Sequence, residues 1–216
     1  MTLAEQLQAY RQSFRENVAE NLQDTMGAAT AALKASGILD GVASQGQPAP
    51  DFELPNVKGS SVRLSEKVNA GPVILSFYRG QWCPYCNLEL KALQNALPEL
   101  EKRGAQLIAV SPQTPDSSLS TTEKNELSFE VLSDEGNQVA QQYGLVFTLP
   151  EELRPIYAGF GIDLPAHNGD DTFELPIPAT FVIGKDGAIA LAFADADYTQ
   201  RAEPDAIIAA LDKLAR

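Results

Sequence analysis

Two cysteines, Cys83 and Cys86, are the only ones in the chain, and the only tryptophan, Trp82, stands directly before them. Two thiols separated by two residues can bind a metal ion or exchange electrons as a dithiol and disulfide. A structural zinc site needs four ligands. With His167 the only histidine, that supply is thin, so the spacing favours redox chemistry and no metal or other cofactor is expected. The reactive form of such a cysteine is the thiolate, whose pKa falls to roughly 3.5–7.5 at a helix N-terminus, against about 8.5 for a free thiol.

The flanking residues predict such a helix terminus. Val73 to Tyr78 is an apolar run that reads as a buried strand, and Leu90, Leu93, Leu97 and Leu100 follow helical spacing. The cysteines sit between the two. Pro84 suits a first helical turn, where an amide has no intrahelical partner. Cys83 is thereby expected at the helix N-terminus, next to unpaired amides and a partial positive charge. Cys86 shares the stripe of Leu90 and Leu93, which turns it inward, so Cys83 is favoured as the nucleophile and Cys86 as its partner.

The whole chain sets bounds on partners. Its 216 residues carry 29 acidic and 16 basic side chains, a net charge of -13, with no cluster of lysine and arginine. Nucleic acid and anionic membranes are therefore poor partners. The first residues lack the apolar core of a signal peptide, and no later run approaches a bilayer span. This predicts a cytoplasmic protein, where a lone C-x-x-C is more often catalytic than a structural staple.

In chain order, residues 1 to about 38 show helical spacing, first through Leu3, Leu7, Tyr10, Phe14 and Val18, then Leu22, Met26 and Leu33. Such an arm packs on its own domain or docks on a second subunit as a homodimer. Gly37, Gly41, Gly46, Pro48 and Pro50 mark a linker, giving an arm over 1–45 and a domain over 46–216. A short hairpin turning at Lys58-Gly59 precedes the cysteine strand. Pro98 should kink or split the cysteine helix, which closes at Arg103-Gly104. A strand over 106–110, a helix over 116–127, a strand over 129–132 and a helix over 135–143 follow. Residues 145–175 are the least regular. Strands over 180–183 and 188–193, joined by Lys185-Asp186-Gly187, and a helix over 203–214 complete an α/β sheet flanked by helices.

Four pieces, G-Q-P-A-P-D-F-E-L-P, F-Y-R-G-Q-W-C-P-Y-C, I-P-A-T-F and V-I-G-K-D-G, resemble the AhpC/TSA, peroxiredoxin-like family of the thioredoxin fold over roughly residues 46–214. The resemblance implies a central mixed sheet flanked by helices, preceded here by an N-terminal helical extension. It also implies a thiol peroxidase that reduces hydroperoxides at Cys83 and Cys86 and is recycled by a thioredoxin or glutathione-type reductant. In this fold the proline before the late strand is cis and lies against the cysteines, a role that falls to Pro178 beside Thr180. Two departures stand out: the family's threonine three residues before its peroxidatic cysteine is replaced by Cys83 if that cysteine is Cys86, and its arginine before the late strand is replaced by Pro178. The family's spacing from Phe77-Tyr78 lands on Cys86, against the helix-terminus argument for Cys83.

Among the supporting residues, Arg79 could lower a thiol pKa or hold a peroxide oxygen, or be a solvated loop residue. Trp82 and Tyr85 would flank the turn as a docking surface, or simply pack it. Gln113 and Thr114 fall near the expected active edge on fold analogy alone, and His167 receives no catalytic role. Two other readings remain beside the peroxidase: a thiol-disulfide oxidoreductase acting on protein disulfides, and a redox-responsive interaction protein that engages a partner through its arm and residues 145–175.

Overall fold

The computed structural model describes residues 1–215. The arm forms two helices rather than one, α1 (Leu3–Asn17) and α2 (Glu20–Ala35), because Val18 and Ala19 adopt extended backbone between them. α1 starts on a capping box in which Thr2 and Glu5 satisfy each other's backbone amides. Glu203, from the far end of the chain, accepts from the Leu3 and Ala4 amides. That ties α1 to its own domain.

β1 (Glu53–Pro55) and β2 (Ser61–Arg63) form the expected hairpin, and Leu64 then opens a short helix, α3 (Leu64–Ala70), which residue spacing alone does not reveal. β3 (Val73–Phe77) is followed by α4 (Pro84–Glu101), then β4 (Gln106–Ser111), α5 (Pro115–Asn125) and β5 (Glu130–Ser133). After α6 (Gln138–Gln142), residues 145–175 fold into β6 (Val146–Thr148), α7 (Arg154–Gly159), α8 (Leu164–Asn168) and β7 (Glu174–Pro176). β8 (Ala179–Ile183), β9 (Ile189–Ala194) and α9 (Pro204–Leu214) close the chain.

The central sheet runs β5-β4-β3-β8-β9. β3, β4 and β5 are parallel, while β8 pairs antiparallel with both β3 and β9. Alternation along the strands divides the core. Leu75, Phe77 and Phe181 face Tyr143 and the β1–β2 hairpin, whereas Ile74 and Val182 face Leu93, Leu97, Ile207 and Leu211 of α4 and α9. α4 thus lies flat on the sheet with its first turn at the C-terminal ends of β3 and β4, where ligands bind in open parallel sheets.

Two sequence expectations need correction. Pro98 neither splits nor ends α4, because Leu97 and Leu100, buried on either side of it, hold the last turn against the sheet. The Ile177–Pro178 peptide is trans, not cis. β7 ends at Pro176, two residues intervene before β8, and the Ile177 amide donates to the Leu145 carbonyl. Only Ile177 and Pro178 separate the two strands, and a trans bond carries the chain from one to the next.

The linker behind the arm is clamped at the edge of this core. Ala43 donates to the Tyr143 carbonyl, and Gly144 sits at φ 71° with Gly41 pressed on it. A Cβ at residue 144 would lie 2.0 Å from the Gly41 carbonyl oxygen. Gly144→Ala is expected to lower stability by roughly 2–4 kcal/mol, through both the clash and the left-handed backbone. Urea unfolding would register this as a lower midpoint at unchanged slope.

Candidate active site

The turn between β3 and α4 is built as the proline spacing predicts. Cys83 is the N-cap residue of α4 and Pro84 its first helical residue. Cys83 donates its amide to the Gly80 carbonyl, and the Cys83 carbonyl accepts the first helical bond from Asn87. Gln113, at the end of β4, accepts from the Gln81 amide at 2.8 Å and donates to Thr121 at 2.9 Å, so the turn is pinned to α5. Gly80 leaves no room for a side chain, since a Cβ there would lie 2.3 Å from Trp82 Nε1. Thr114 caps α5 instead of reaching the cysteines, and its amide takes the His167 carbonyl.

Both cysteines are free thiols, and both are buried, Cys83 at 2% exposure and Cys86 at 0%. Burial of Cys86 follows its stripe, but burial of Cys83 does not follow from its place at a helix terminus. The cause is the arm. Leu3, Leu7 and Tyr10 of α1 pack over Tyr78, Cys83, Tyr85 and Cys86. Tyr85 stacks edge-on between Tyr10, at 5.0 Å, and Tyr198, at 5.6 Å. Trp82 packs against Tyr157 at 5.7 Å. Tyr85 and Trp82 therefore pack the turn, Tyr85 buried and Trp82 half-buried.

Arg79 is not a solvated loop residue. It is 2% exposed, and its guanidinium sits among the rings of Tyr198, Trp82 and Tyr157 at 4.6, 4.9 and 5.5 Å. Its Nη2 donates to the Tyr157 hydroxyl, while its Nε has no partner among the described residues. It forms no ion pair with a carboxylate among the described residues.

Two residues at the cysteine pair are not legible as such in the sequence. Arg201 donates from Nε to Glu89 at 2.6 Å and from Nη2 to Cys86 Sγ at 3.3 Å. Glu89 also accepts from the Thr180 hydroxyl at 3.3 Å. Glu89 carried a legible signal, an acid three residues after Cys86 in the apolar stripe of α4. Arg201 carried none, because 115 residues separate it from Cys86. Thr180 is placed under the cysteine helix, and Pro178 lines the cleft that reaches Arg79. Arg79 and Arg201 both act on the charge of Cys83.

The electrostatics separate the two thiols. Burial alone would push the Cys83 thiol up, but the Cys86 thiol, Arg79, Arg201 and the Cys86 amide outweigh it and bring Cys83 down to about 6. Burial, the hydrogen bond to Cys83 and the charge there push Cys86 well above the usual thiol range, although Arg201 opposes them. Burial raises Glu89 to about 7 against the pull of Arg201, and the neighbouring Cys86 adds to the rise. At neutral pH the pair can hold one thiolate, on Cys83, with the Cys86 thiol donating to it.

Comparison with known proteins matches residues 45–192, more than half of the chain, to the AhpC/TSA family. Peroxiredoxin Q, chloroplastic, of Oryza sativa subsp. japonica is 34% identical over 152 residues, covering 70% of this chain and 59% of that protein. Peroxiredoxin Bcp of Escherichia coli is 33% identical over 100 residues, 46% of this chain and 64% of that protein. The chain spans 50–60% of the length of the first curated relatives it matches. Among solved structures, peroxidoxin BcpB of Mycobacterium tuberculosis superposes with a TM-score of 0.62 at 24% identity, over 79% of this chain and 97% of that one.

Titration of the thiolate by its ultraviolet absorbance should show one thiolate appearing as pH rises through about 6. The sign follows from the lowered pKa, the neutral thiol dominating below that pH. Cys83→Ser should abolish this transition. Arg79→Met should move it up by about one pH unit or more.

Proposed function

The chain belongs to the AhpC/TSA family, and we propose that it is a thiol-dependent peroxidase that reduces hydroperoxides through Cys83 and Cys86. The observation that carries this reading is the Cys83 thiol itself, buried at the N-cap of α4 and brought down to about 6 by Cys86, Arg79 and Arg201. A thiolate at neutral pH, held beside a guanidinium with an unused donor, has what attack on an O–O bond requires.

In the proposed reaction the Cys83 thiolate attacks the distal oxygen of the hydroperoxide. The O–O bond breaks, and the departing alkoxide or hydroxide leaves as alcohol or water after taking a proton. Arg79 donates to the peroxide oxygens and stabilises the charge that grows on the leaving one. Cys83 becomes a sulfenic acid, and Cys86 loses its proton and attacks that sulfur. A disulfide forms and water leaves. Arg201 stabilises the Cys86 thiolate at the moment of attack. A thioredoxin or glutathione-type dithiol system supplies two electrons and two protons to restore the pair.

No helix among the described residues is long and apolar enough to cross a membrane. We place the protein in a reducing compartment such as the cytoplasm, where a lone C-x-x-C pair is more often catalytic than a structural staple. We divide it into an arm over residues 1–45 and a peroxiredoxin-like domain over 46–216. Dimerisation through the arm has less support, since α1 spends Leu3, Leu7 and Tyr10 on its own cysteine site. Burial of both sulfurs also weighs against protein disulfides as substrates, because a bulky disulfide must meet the attacking sulfur in line.

Single-turnover reduction of hydrogen peroxide, followed for wild type, Cys83→Ser and Cys86→Ser, tests the assignment. Wild type should give a disulfide within one turnover. Cys86→Ser should stop at a Cys83 sulfenic acid, trapped and located by mass, and Cys83→Ser should lose about 10³-fold or more in rate. Background rates for all three would remove the peroxidase reading. Efficient insulin reduction in that case would favour the oxidoreductase.

A further inference from the structure

Both sulfurs are shut off from water, Cys83 at 2% exposure and Cys86 at 0%. Neither lines the cleft that reaches Arg79 or the groove beside α1. A reagent that reacts with a sulfur must come into line with it, so one of the elements enclosing the pair has to move. Those elements are the sheet, through Ala109 and Val131, the cysteine helix α4 and the arm helix α1. α4 buries seven of its 18 residues, whereas α1 buries Leu3 and Leu7 out of 15. Segments with few buried apolar side chains open locally at the lowest free energy, and α1 is the cover that meets this description.

α1 is also built as a separable piece. It joins α2 through the extended backbone of Val18 and Ala19, and Gln23 donates to the Arg15 and Val18 carbonyls across that joint. Phe14 meets Phe160 near the same end, at 6.2 Å. The other end is fastened by polar contacts. Glu203 accepts from the Leu3 and Ala4 amides, which have no partner within α1. Glu203 is itself the N-cap residue of α9, yet its side chain makes no cap bond there. Arg11 pairs with Asp197 at 3.2 Å, each about one-third exposed, and donates to Thr199. A groove lined by Ala4, Gln8, Arg11, Thr199 and Glu203 runs beside these contacts. The latch is thus polar and reached by water, while the grip on the cysteines is two leucines and the half-buried Tyr10.

We propose that α1 is a gate over the cysteine pair, hinged at Val18 and Ala19 and latched by Glu203, and that reagents reach Cys83 when it swings open. All of α1 lies outside the matched residues 45–192. The gate acts on access to the sulfur and is independent of which substrate the sulfur attacks.

The test is the rate of Cys83 alkylation by iodoacetamide, located by mass, in the full chain at pH 8. At that pH, above the value of about 6 for Cys83, the thiolate dominates and the rate reads access. Glu203→Ala removes the latch and should speed alkylation about 5-fold, the scale of a lost helix cap. Leu7→Ala loosens the grip and should speed it about 10-fold or more. Hydrogen exchange should quicken in α1 of both variants and stay unchanged in α4. Val68→Ala, in the core cluster of Leu75 and Phe77, destabilises the domain without touching the arm and should leave the alkylation rate as it is. If Leu7→Ala does not fold, as judged by circular dichroism, Glu203→Ala decides alone. Alkylation within about twofold of wild type in the folded arm variants overturns the gate, and so does an equal acceleration by Val68→Ala, which would mean access by global unfolding. Alkylation needs no peroxidase activity, so a protein that reduces no peroxide still gives the answer.

Discussion

Two guanidiniums buried around two sulfurs are the constraint on which this site depends. Arg79 and Arg201 are both withdrawn from water, and only one of them meets a carboxylate, Glu89. Leaving a buried charge without an opposite charge costs several kcal/mol, roughly 3–5 when a partner is removed from an established pair. The remaining anion is available from the cysteines. Ionising Cys83 balances Arg79 as Glu89 balances Arg201. The hydrogen bond from Cys86 and that balance together hold a thiol with almost no contact with water near pH 6, when desolvation by itself would make it inert.

The same requirement accounts for elements remote from the turn. Arg79 is enclosed by Tyr198 from the segment after β9 and by Tyr157 from α7. Residues 145–175, which look irregular in sequence, are therefore not a free insertion. Their cluster of Leu149, Leu153, Tyr157, Leu164 and Leu175 packs against Met26 and Ala29 of α2 and against Trp82. It carries the Tyr157 hydroxyl to the guanidinium. α1 seals the opposite side through Tyr10 and Leu7. The arm and the insertion together keep the dielectric low, which strengthens each guanidinium–thiolate contact.

The legible parts of the chain were those carried by local pattern. The strand over Val73–Phe77, the N-cap at Cys83 with Pro84 behind it, the Lys58-Gly59 hairpin and the closing helix each follow from periodicity or from a residue with one conformational habit. The parts that local pattern could not supply are set by tertiary contact. Arg201 lies in a stretch, Tyr198 to Glu203, with nothing to distinguish it from a solvated loop, and only the return of the chain past β9 brings it to Cys86. The burial of Cys83 depends on α1, whose stripe is also compatible with a second subunit. Pro178 shows the reverse error: expected as a cis proline against the cysteines, it lines the cleft that reaches Arg79 through a trans bond, because its geometry was inferred from resemblance and not from its own neighbours.

Charge balance also gives the proposed cycle a direction. Oxidation to a disulfide turns the Cys83 thiolate into a neutral sulfur and leaves Arg79 without an anion, in a cage of rings that cannot supply one. Attack at the turn is thus favoured in the reduced state and its product is electrostatically the costlier form. An external dithiol that returns two electrons restores the thiolate and the balance with it. Glu89, raised to about 7, tightens this coupling, since each time it takes up a proton the Cys83 thiolate becomes the one anion shared by both guanidiniums. The chemistry of the pair is therefore decided by the sulfurs' own spacing, which lets the Cys86 thiol donate to Cys83, together with two arginines that the fold brings to them.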